Sequence, residues 1–399
     1  MKKKIVSFTI AILSVLPSFA QLNGDGYYRI KNKTTGRYMT LCDNHSKGVN
    51  ASSTTAEVGA LETRKSYEDI VSDPGSVFYI KKVSNDDYNI FAQGADMYAL
   101  TKYYIKLRQS GTRGYIAYQT SSGYSLRLQD EIINCGKDGD SYVTTVSQND
   151  LEHTDYWDII PVTNTGDSYI GIAPKVNANG KHYALYYTGF AYNLLSSGMK
   201  AYYVTKVDES RDAVVYKEIT GTIPAKTPVV IECNSESPSN NKIEPLSETV
   251  NAIGGNQLKG VFFSAGNIWS GHYNSIAYNE TTMRTMSSKD GKLTFNTSTD
   301  LLPTVEVCLK PGSTHDEDYE MKKCIGHNTA YIQVSSAAKI DLNWVSEADY
   351  STGITNINTD ESPSNIYDLK GNVVKQDASN TEGISKGIYI YKGKKLVIR

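Results

Sequence analysis

Gly26-Tyr27-Tyr28-Arg29-Ile30-Lys31-Asn32-Lys33-Thr34-Thr35-Gly36-Arg37-Tyr38-Met39 decides how this chain folds. Tyr28-Arg29-Ile30-Lys31 alternates apolar and polar side chains with period two, the pattern of a half-buried strand. The Asn and Gly that follow mark a turn, and a second strand begins at Arg37. The same alternation recurs at Gly114-Tyr115-Ile116-Ala117-Tyr118, Ser125-Leu126-Arg127-Leu128 and Thr304-Val305-Glu306-Val307. Turn signals separate such segments, among them Asn23-Gly24, Asp25-Gly26, Lys137-Asp138-Gly139-Asp140, Asn179-Gly180 and Lys289-Asp290-Gly291-Lys292. Helical periodicity is scarce, and its best stretch, Thr55 to Val71, predicts one or two turns. Many short strands with few helices predict an all-β chain of barrels or sandwiches.

The opening stretch resembles the first strand pair of a ricin-type β-trefoil. Comparable starts near Val77-Phe78-Tyr79-Ile80 and Gly114-Tyr115-Ile116 give three units of roughly 40 residues, the trefoil size. Tyr156-Trp157-Asp158-Ile159-Ile160-Pro161-Val162 resembles the closing strand. The resemblance implies a β-trefoil-like domain over residues 22–162. The Gln-x-Trp signature of sugar-binding trefoils is absent from all three units, so the resemblance carries the fold and not that sugar site.

Residues 166–346 include Gly221-Thr222-Ile223-Pro224-Ala225-Lys226-Thr227-Pro228-Val229-Val230-Ile231 and Asn328-Thr329-Ala330-Tyr331-Ile332. This part is similar to a β-rich module of secreted and surface proteins in bacteria with type IX-like export. It implies a sandwich- or barrel-like domain and no enzymatic activity. Residues 347–364 are rich in Ser, Thr, Asp and Asn and read as a polar linker. Residues 365–399 carry Ile366-Tyr367-Asp368-Leu369-Lys370-Gly371-Asn372, Gly387-Ile388-Tyr389-Ile390-Tyr391 and Gly393-Lys394-Lys395-Leu396-Val397-Ile398-Arg399. They resemble the end of a type IX secretion C-terminal sorting domain. Tyr367, Asp368, Gly371, Gly387, Tyr389, Gly393, Lys394 and Lys395 match its pattern, while Asn372 stands where an Arg is more usual. The resemblance implies outer-membrane secretion machinery as a partner. The bland alternative is an edge hairpin closing the second domain.

The N-terminus supplies the other half of an export reading. Lys2-Lys3-Lys4 precede a short apolar run, Ile5 to Leu16, and Ser18-Phe19-Ala20 offers small residues for cleavage. That is a secretory signal peptide over residues 1–20, cut between Ala20 and Gln21. No later run is long and apolar enough for a membrane-spanning helix. The expected location is outside a Gram-negative cell or on its outer-membrane surface, and the periplasm if the tail is not a sorting signal.

Charge is nearly balanced, with 41 Lys and Arg against 43 Asp and Glu. Nucleic acid and anionic lipid are therefore not expected as main partners. Tyr outnumbers Phe 30 to 8, which suits half-buried sheet positions and also binding surfaces. Five Cys lie beyond the leader, so an odd thiol is left over. Cys308 with Cys324, and Cys42 with Cys135, are the pairs whose placement allows a bridge.

No chemistry-bearing motif emerges. The six His form no H-x-x-x-H pair, and there is no C-x-x-C, G-x-S-x-G or P-loop. His315-Asp316-Glu317-Asp318 is dense in acid but lacks calcium-loop spacing. No cofactor and no metal are expected. Trp157 and Trp344 sit in strand-like apolar contexts and read as core. Trp269, in the Gly-flanked run Gly266 to Tyr273, is the candidate ligand contact together with Tyr273. The expected function is a non-enzymatic, exported protein that binds glycan or another extracellular ligand. An extracellular hydrolase with an unrecognised site, and a scaffold without a ligand, are the competing readings.

Overall fold

The computed structural model describes residues 22, 24–41, 57–65, 67–84, 87–94, 97–102, 104–108, 115–120, 123–128, 131–135, 143–147, 156–166, 168–262, 276–308, 318–351, 365–376, 380–391 and 394–398. These are almost all β. Twelve strands build the N-terminal part: β1 (Gly26–Asn32), β2 (Tyr38–Leu41), β3 (Glu57–Lys65), β4 (Phe78–Ser84), β5 (Asp87–Ala92), β6 (Met97–Lys102), β7 (Tyr104–Arg108), β8 (Tyr115–Thr120), β9 (Gly123–Leu128), β10 (Glu131–Cys135), β11 (Val143–Ser147) and β12 (Tyr156–Pro161).

Their pairing has threefold logic. β1 pairs β4, β4 pairs β5, β5 pairs β8, β8 pairs β9, β9 pairs β12, and β12 returns to β1. Six strands thus close a barrel and leave no free edge. The other six form the hairpins β2–β3, β6–β7 and β10–β11, each hinged on the barrel through β1–β2, β5–β6 or β9–β10. This is a β-trefoil. Period-two side chains fill it: Tyr28 and Ile30, Phe78 and Ile80, Ile90 and Ala92, Tyr124 and Leu126, Trp157 and Ile159 are all buried. Each large apolar side chain removed from water contributes about 1.5–3 kcal/mol.

The first turn shows why the sequence folds this way locally. Asn32 is buried, and its Oδ1 accepts from Thr34 N, Thr35 N and the Thr35 hydroxyl at 3.0, 2.9 and 3.2 Å. Gly36 follows at φ +69°, a conformation that glycine adopts without Cβ strain.

Three sequence expectations change. The stretches near Val77 and Gly114 are β4 and β8, the last strands of the first and second units rather than the starts of new ones. They alternate as β1 does because all three line the same barrel. Of Thr55 to Val71, the described residues hold the one expected helical turn, Tyr67–Ile70, and are otherwise mostly strand, since β3 is held between β2 and β7. Tertiary pairing overrides local propensity there. Cys324 is a buried free thiol and does not make the bridge to Cys308; the backbone of Cys308 pairs in register with that of Tyr319 in a hairpin.

Residues 168–351 form the second part. Its ten-stranded sheet runs in the order Val176–Ala178, Lys181–Tyr186, Val229–Cys233, Lys200–Asp208, Ala213–Ile219, Leu342–Ser346, Lys292–Asn296, Met283–Lys289, Thr329–Gln333 and Leu258–Val261. The sheet curls around one core that takes Val176, Tyr183, Tyr202, Val230, Phe295, Ile332 and Leu342 from strands at both ends of that order. The alternate residues of its first strands face a second core. Ala184, Tyr186, Ala201, Val229 and Ile231 pack there against Ile170, Tyr192 and Ile243 of a three-stranded sheet. These strands are therefore apolar on both faces. In the Ile223 to Val229 run, Ile223 bridges Tyr192, and Lys226, at φ +57°, donates its N–H to Thr188 O at 2.9 Å. Trp157 is fully buried, and Trp344 stacks on Tyr216 with centroids 4.2 Å apart.

The tail forms its own antiparallel sheet in the order Val373–Lys375, Ile366–Tyr367, Gly387–Tyr391, Lys394–Ile398. Among the described residues no helix is long and apolar enough to cross a membrane.

Candidate functional site

The site follows from how trefoil and module meet. Tyr28 and Ile30 point into the barrel, so the residues between and beside them on β1 point out, toward the module. Arg29 is 1% exposed. Its Nη1 donates to Tyr169 O at 2.9 Å and Ser168 O at 3.3 Å, Nη2 donates to Val71 O at 3.4 Å, and Nε donates to the Ser76 hydroxyl at 3.3 Å. Tyr27 packs between the rings of Tyr79 and Phe190 and donates its hydroxyl to Leu246 O at 2.7 Å. Burial, with Tyr79 beside it, holds that phenol well above its ordinary pKa. Val77 of the trefoil belongs to the module's second core. Gly189 N donates to Gln93 O at 2.9 Å, and Gly171 N donates to Val71 O at 3.1 Å.

Beside this seam lies a cleft of about 670 Å³, within the range of small-molecule sites. The trefoil contributes one wall from the segment Glu68 to Pro74. The module contributes Ile172 to Lys175, Ala184 to Tyr186, Thr285 and Met286, the loop Asp300 to Pro303, and Ile325 to Ala330. Most of this lining is apolar, and Leu301 stands half-exposed on the wall.

The polar groups are few. Asp73 is buried and fastened: Oδ1 accepts from Gly75 N at 2.8 Å, and Oδ2 accepts from the Thr40 hydroxyl at 2.8 Å. It caps the short Pro74–Ser76 turn, and His327 Nε2 lies 3.9 Å from Oδ1. Asn328 sits at φ +52° and donates Nδ2 to Gly94 O of the trefoil and to Tyr187 O of the module, both at 3.0 Å. Its Oδ1, the Tyr186 hydroxyl and the Ser72 Oγ, all of residues that line the cleft, are closed off from solvent with no hydrogen-bond partner. Leaving such a group unsatisfied costs about 1–3 kcal/mol. Burial pushes the Tyr186 phenol far above its ordinary pKa; Asp73 adds to the shift and Arg29 opposes it, so the group stays a neutral hydroxyl. An apolar-walled cleft with a few polar and charged side chains on its lining, Glu68, Asp73, Lys175 and Asp300 among them, is suited to binding.

The sequence-derived residues fall elsewhere. Ala20, Gln21, Trp269, Tyr273 and Gly393 lie outside the described residues. In the tail, Asp368 Oδ1 accepts from Lys370 N and Asn372 N at 2.9 and 2.8 Å, and Oδ2 accepts from Asn372 Nδ2 at 2.9 Å. Those bonds, the Asn372 side chain first, hold the Asp368 carboxyl below its usual range. Asn372 thereby closes the turn at which Gly371 adopts φ +86°. Tyr367 pairs Ile390 in register, and the Tyr389 hydroxyl donates to Ser385 O at 2.9 Å. Gly387 opens its strand against Ile398, and a Cβ there meets the Tyr389 ring at 3.1 Å. Lys394 and Lys395 lie in the last strand opposite Tyr391 and Ile390. Among the described residues no group of three or more His, Cys, Asp or Glu is placed to hold a metal ion.

No family model and no curated protein matches the chain. Solved structures that resemble it include the Rhizoctonia solani agglutinin, at 13% identity and TM-score 0.27, where 34% of this chain covers 95% of that one. ThreeFoil, a designed 3-fold symmetric protein, matches at 14% identity and TM-score 0.27 over 34% of this chain and 99% of its own. The Polyporus squamosus lectin matches at 13% identity and TM-score 0.28 over 36% of this chain and 51% of its own.

Proposed function

We propose that this chain is an exported, non-enzymatic protein that binds a glycan in the cleft at the trefoil–module seam. The observation that carries the reading is the cleft itself, where apolar wall surface lies beside a smaller set of polar side chains. A sugar ring has the complementary chemistry, with C–H faces for the apolar wall and hydroxyls for polar side chains of the lining such as Glu68, Thr285 and Asp300. Asp73, one of the three carboxylates on the lining, is spent on capping a turn, which favours binding over catalysis.

Export is the second half of the proposal. The leader read at Ala20/Gln21 and the tail hairpins at Tyr367-Asp368 and Gly387-Tyr389 support delivery to the outer-membrane surface or the medium through secretion machinery that recognises the tail.

A glycan array probed with the chain starting at Gln21 tests the first half. The expected result is binding to a defined set of saccharides. Uniform absence of binding overturns it. Fractionating cells that make the full chain beside one ending at Ser364 tests the second half. The shortened chain is expected to stay in the periplasm; equal delivery of both to the surface or medium removes the sorting role.

A further inference from the structure

We infer that the module carries a second saccharide-binding surface, at one end of its curled sheet, where Tyr216 and Trp344 form an aromatic platform flanked by two ion pairs. The inference goes beyond the cleft and does not rest on it.

Strand alternation places the platform. Leu185, Val230, Val204, Val214 and Leu342 sit on five neighbouring strands and face the first core of the module. Side chains two apart on a strand share a face. The next inner-face residues at one end of these strands are Tyr183, Glu232, Tyr202, Tyr216 and Trp344. The register puts all five at the same end, since Tyr183 pairs Glu232, Val204 pairs Tyr216, and Val214 pairs Trp344 in parallel. An aliphatic row thus gives way to an aromatic and acidic one at the mouth of the curl. Mouths of β-barrels are among the places where ligands bind.

The rings there are fixed. Trp344 lies flat on Tyr216, with 11° between planes and 4.2 Å between centroids. Tyr202 stands edge-on to Tyr216 at 4.9 Å, and its hydroxyl donates to Glu232 Oε2 at 3.2 Å. Tyr216 and Trp344 are only half-buried, so ring surface stays open to solvent. The face of an aromatic ring is its negative side, which suits the C–H groups of a sugar ring.

The charged groups beside the rings are also within reach. Lys181 Nζ pairs Glu232 Oε1 at 2.8 Å, and Lys200 Nζ pairs Glu218 Oε2 at 3.3 Å. The side chains of Lys181, Lys200 and Glu218 are 55%, 47% and 44% exposed. A carboxylate only accepts hydrogen bonds and an ammonium only donates them, whereas a hydroxyl does both. A saccharide therefore finds donors, acceptors and a ring to stack on in one place. The four charges cancel, so they recruit neither a cation nor an anion.

The test probes an array of neutral saccharides with the chain from Gln21, as wild type and as Leu301→Asp. Leu301 is 51% exposed on the cleft wall, so this variant puts a charge in the cleft and leaves the mouth untouched. Leu301→Asp is expected to keep binding to at least one saccharide of the array. Titrating that saccharide should change the tryptophan emission, and Trp344→Phe should remove the change. Adding Tyr216→Leu should weaken binding about five- to tenfold. Adding Glu218→Ala, whose exposed pair contributes little to folding, should weaken it about two- to fivefold. Glu218→Ala and Lys200→Met carry the test should Tyr216→Leu fail to fold. Complete loss of binding in Leu301→Asp overturns the mouth and leaves the cleft reading standing. Binding that survives Leu301→Asp but ignores the Tyr216, Glu218 and Lys200 variants overturns the mouth as well. No binding by wild type overturns both sites.

Discussion

Gly189→Ala is the sharpest perturbation of the seam. A Cβ at position 189 lies 2.6 Å from the carbonyl oxygen of Gln93, against 3.4 Å or more for an ordinary contact. The clashing atom belongs to backbone, so no side-chain rotation relieves it. One of the two segments must retreat by most of an ångström, and the N–H of residue 189 loses its 2.9 Å bond to the same oxygen. Overpacking of this kind costs about 1–3 kcal/mol, and the lost hydrogen bond adds about 1 kcal/mol. The expected loss is therefore about 2–4 kcal/mol in urea unfolding. Gly254→Ala is the control, because nothing lies within 4 Å of its added carbon. There the change is expected to be neutral or stabilising by about 0.4–1 kcal/mol. The neighbouring bond from Asn328 to Gly94 loosens with the seam, so under the proposed glycan reading affinity should fall in Gly189→Ala as well. A Gly189→Ala chain within about 0.5 kcal/mol of wild type would refute the close approach and the docking built on it.

Three further outcomes follow from the geometry. Asp208 is held far below its ordinary pKa by bonds from Ser210 first, then Tyr350 and Lys206, and its side chain is 11% exposed. A depressed carboxylate stabilises the fold above its unfolded value and loses that contribution as pH falls through the folded value. The gap in urea midpoint between wild type and Asp208→Asn should hold from pH 7 to about pH 4 and close below it; a gap independent of pH between 7 and 2 counts against the contact. Burial first, and then Glu232, pushes the Cys233 thiol up to about 12. It should resist an aromatic disulfide reagent at pH 8 until the chain unfolds, and the raised value favours the fold below the unfolded thiol range and ceases to do so as pH rises toward 12; prompt labelling of the folded chain at Cys233 is the contrary result. Asn241 is fully buried, with Nδ2 donating to Ile172, Ser235 and Ser237 carbonyls at 2.9, 2.8 and 3.1 Å. Asn241→Ala should cost about 3–4 kcal/mol by urea unfolding, and a loss under about 1 kcal/mol contradicts its role.

The all-β architecture was legible because alternation survives in the barrel strands. Tyr28/Ile30 and Trp157/Ile159 show it plainly in the sequence and fill the barrel in the structure. Phase within the trefoil was harder to read, since Val77-Phe78-Tyr79-Ile80 alternates as the opening strand does while ending a unit. The β3 segment offered helical composition, and only its pairing with β2 and β7 makes it a strand. The cleft was not legible. Its walls come from segments as far apart as Glu68 and Ala330, and topology alone brings them together. One signal was present: the Asn328 to Ile332 run stood out by resemblance, and Asn328 is the residue that spans the seam. Trp269 and Tyr273, read as a ligand contact from the glycines around them, lie outside the described residues.

The seam ends mainly on main-chain oxygens: those of Tyr169, Leu246, Gln93 and Gly94 accept from Arg29, Tyr27, Gly189 and Asn328. Such acceptors are aligned only after the segment that carries them has taken its final course. Docking therefore needs both backbones in their final course, and an unfinished half offers no aligned partner. A chain that crosses a membrane unfolded and matures afterwards would gain from that order. Until both halves are complete, the cleft between them does not exist.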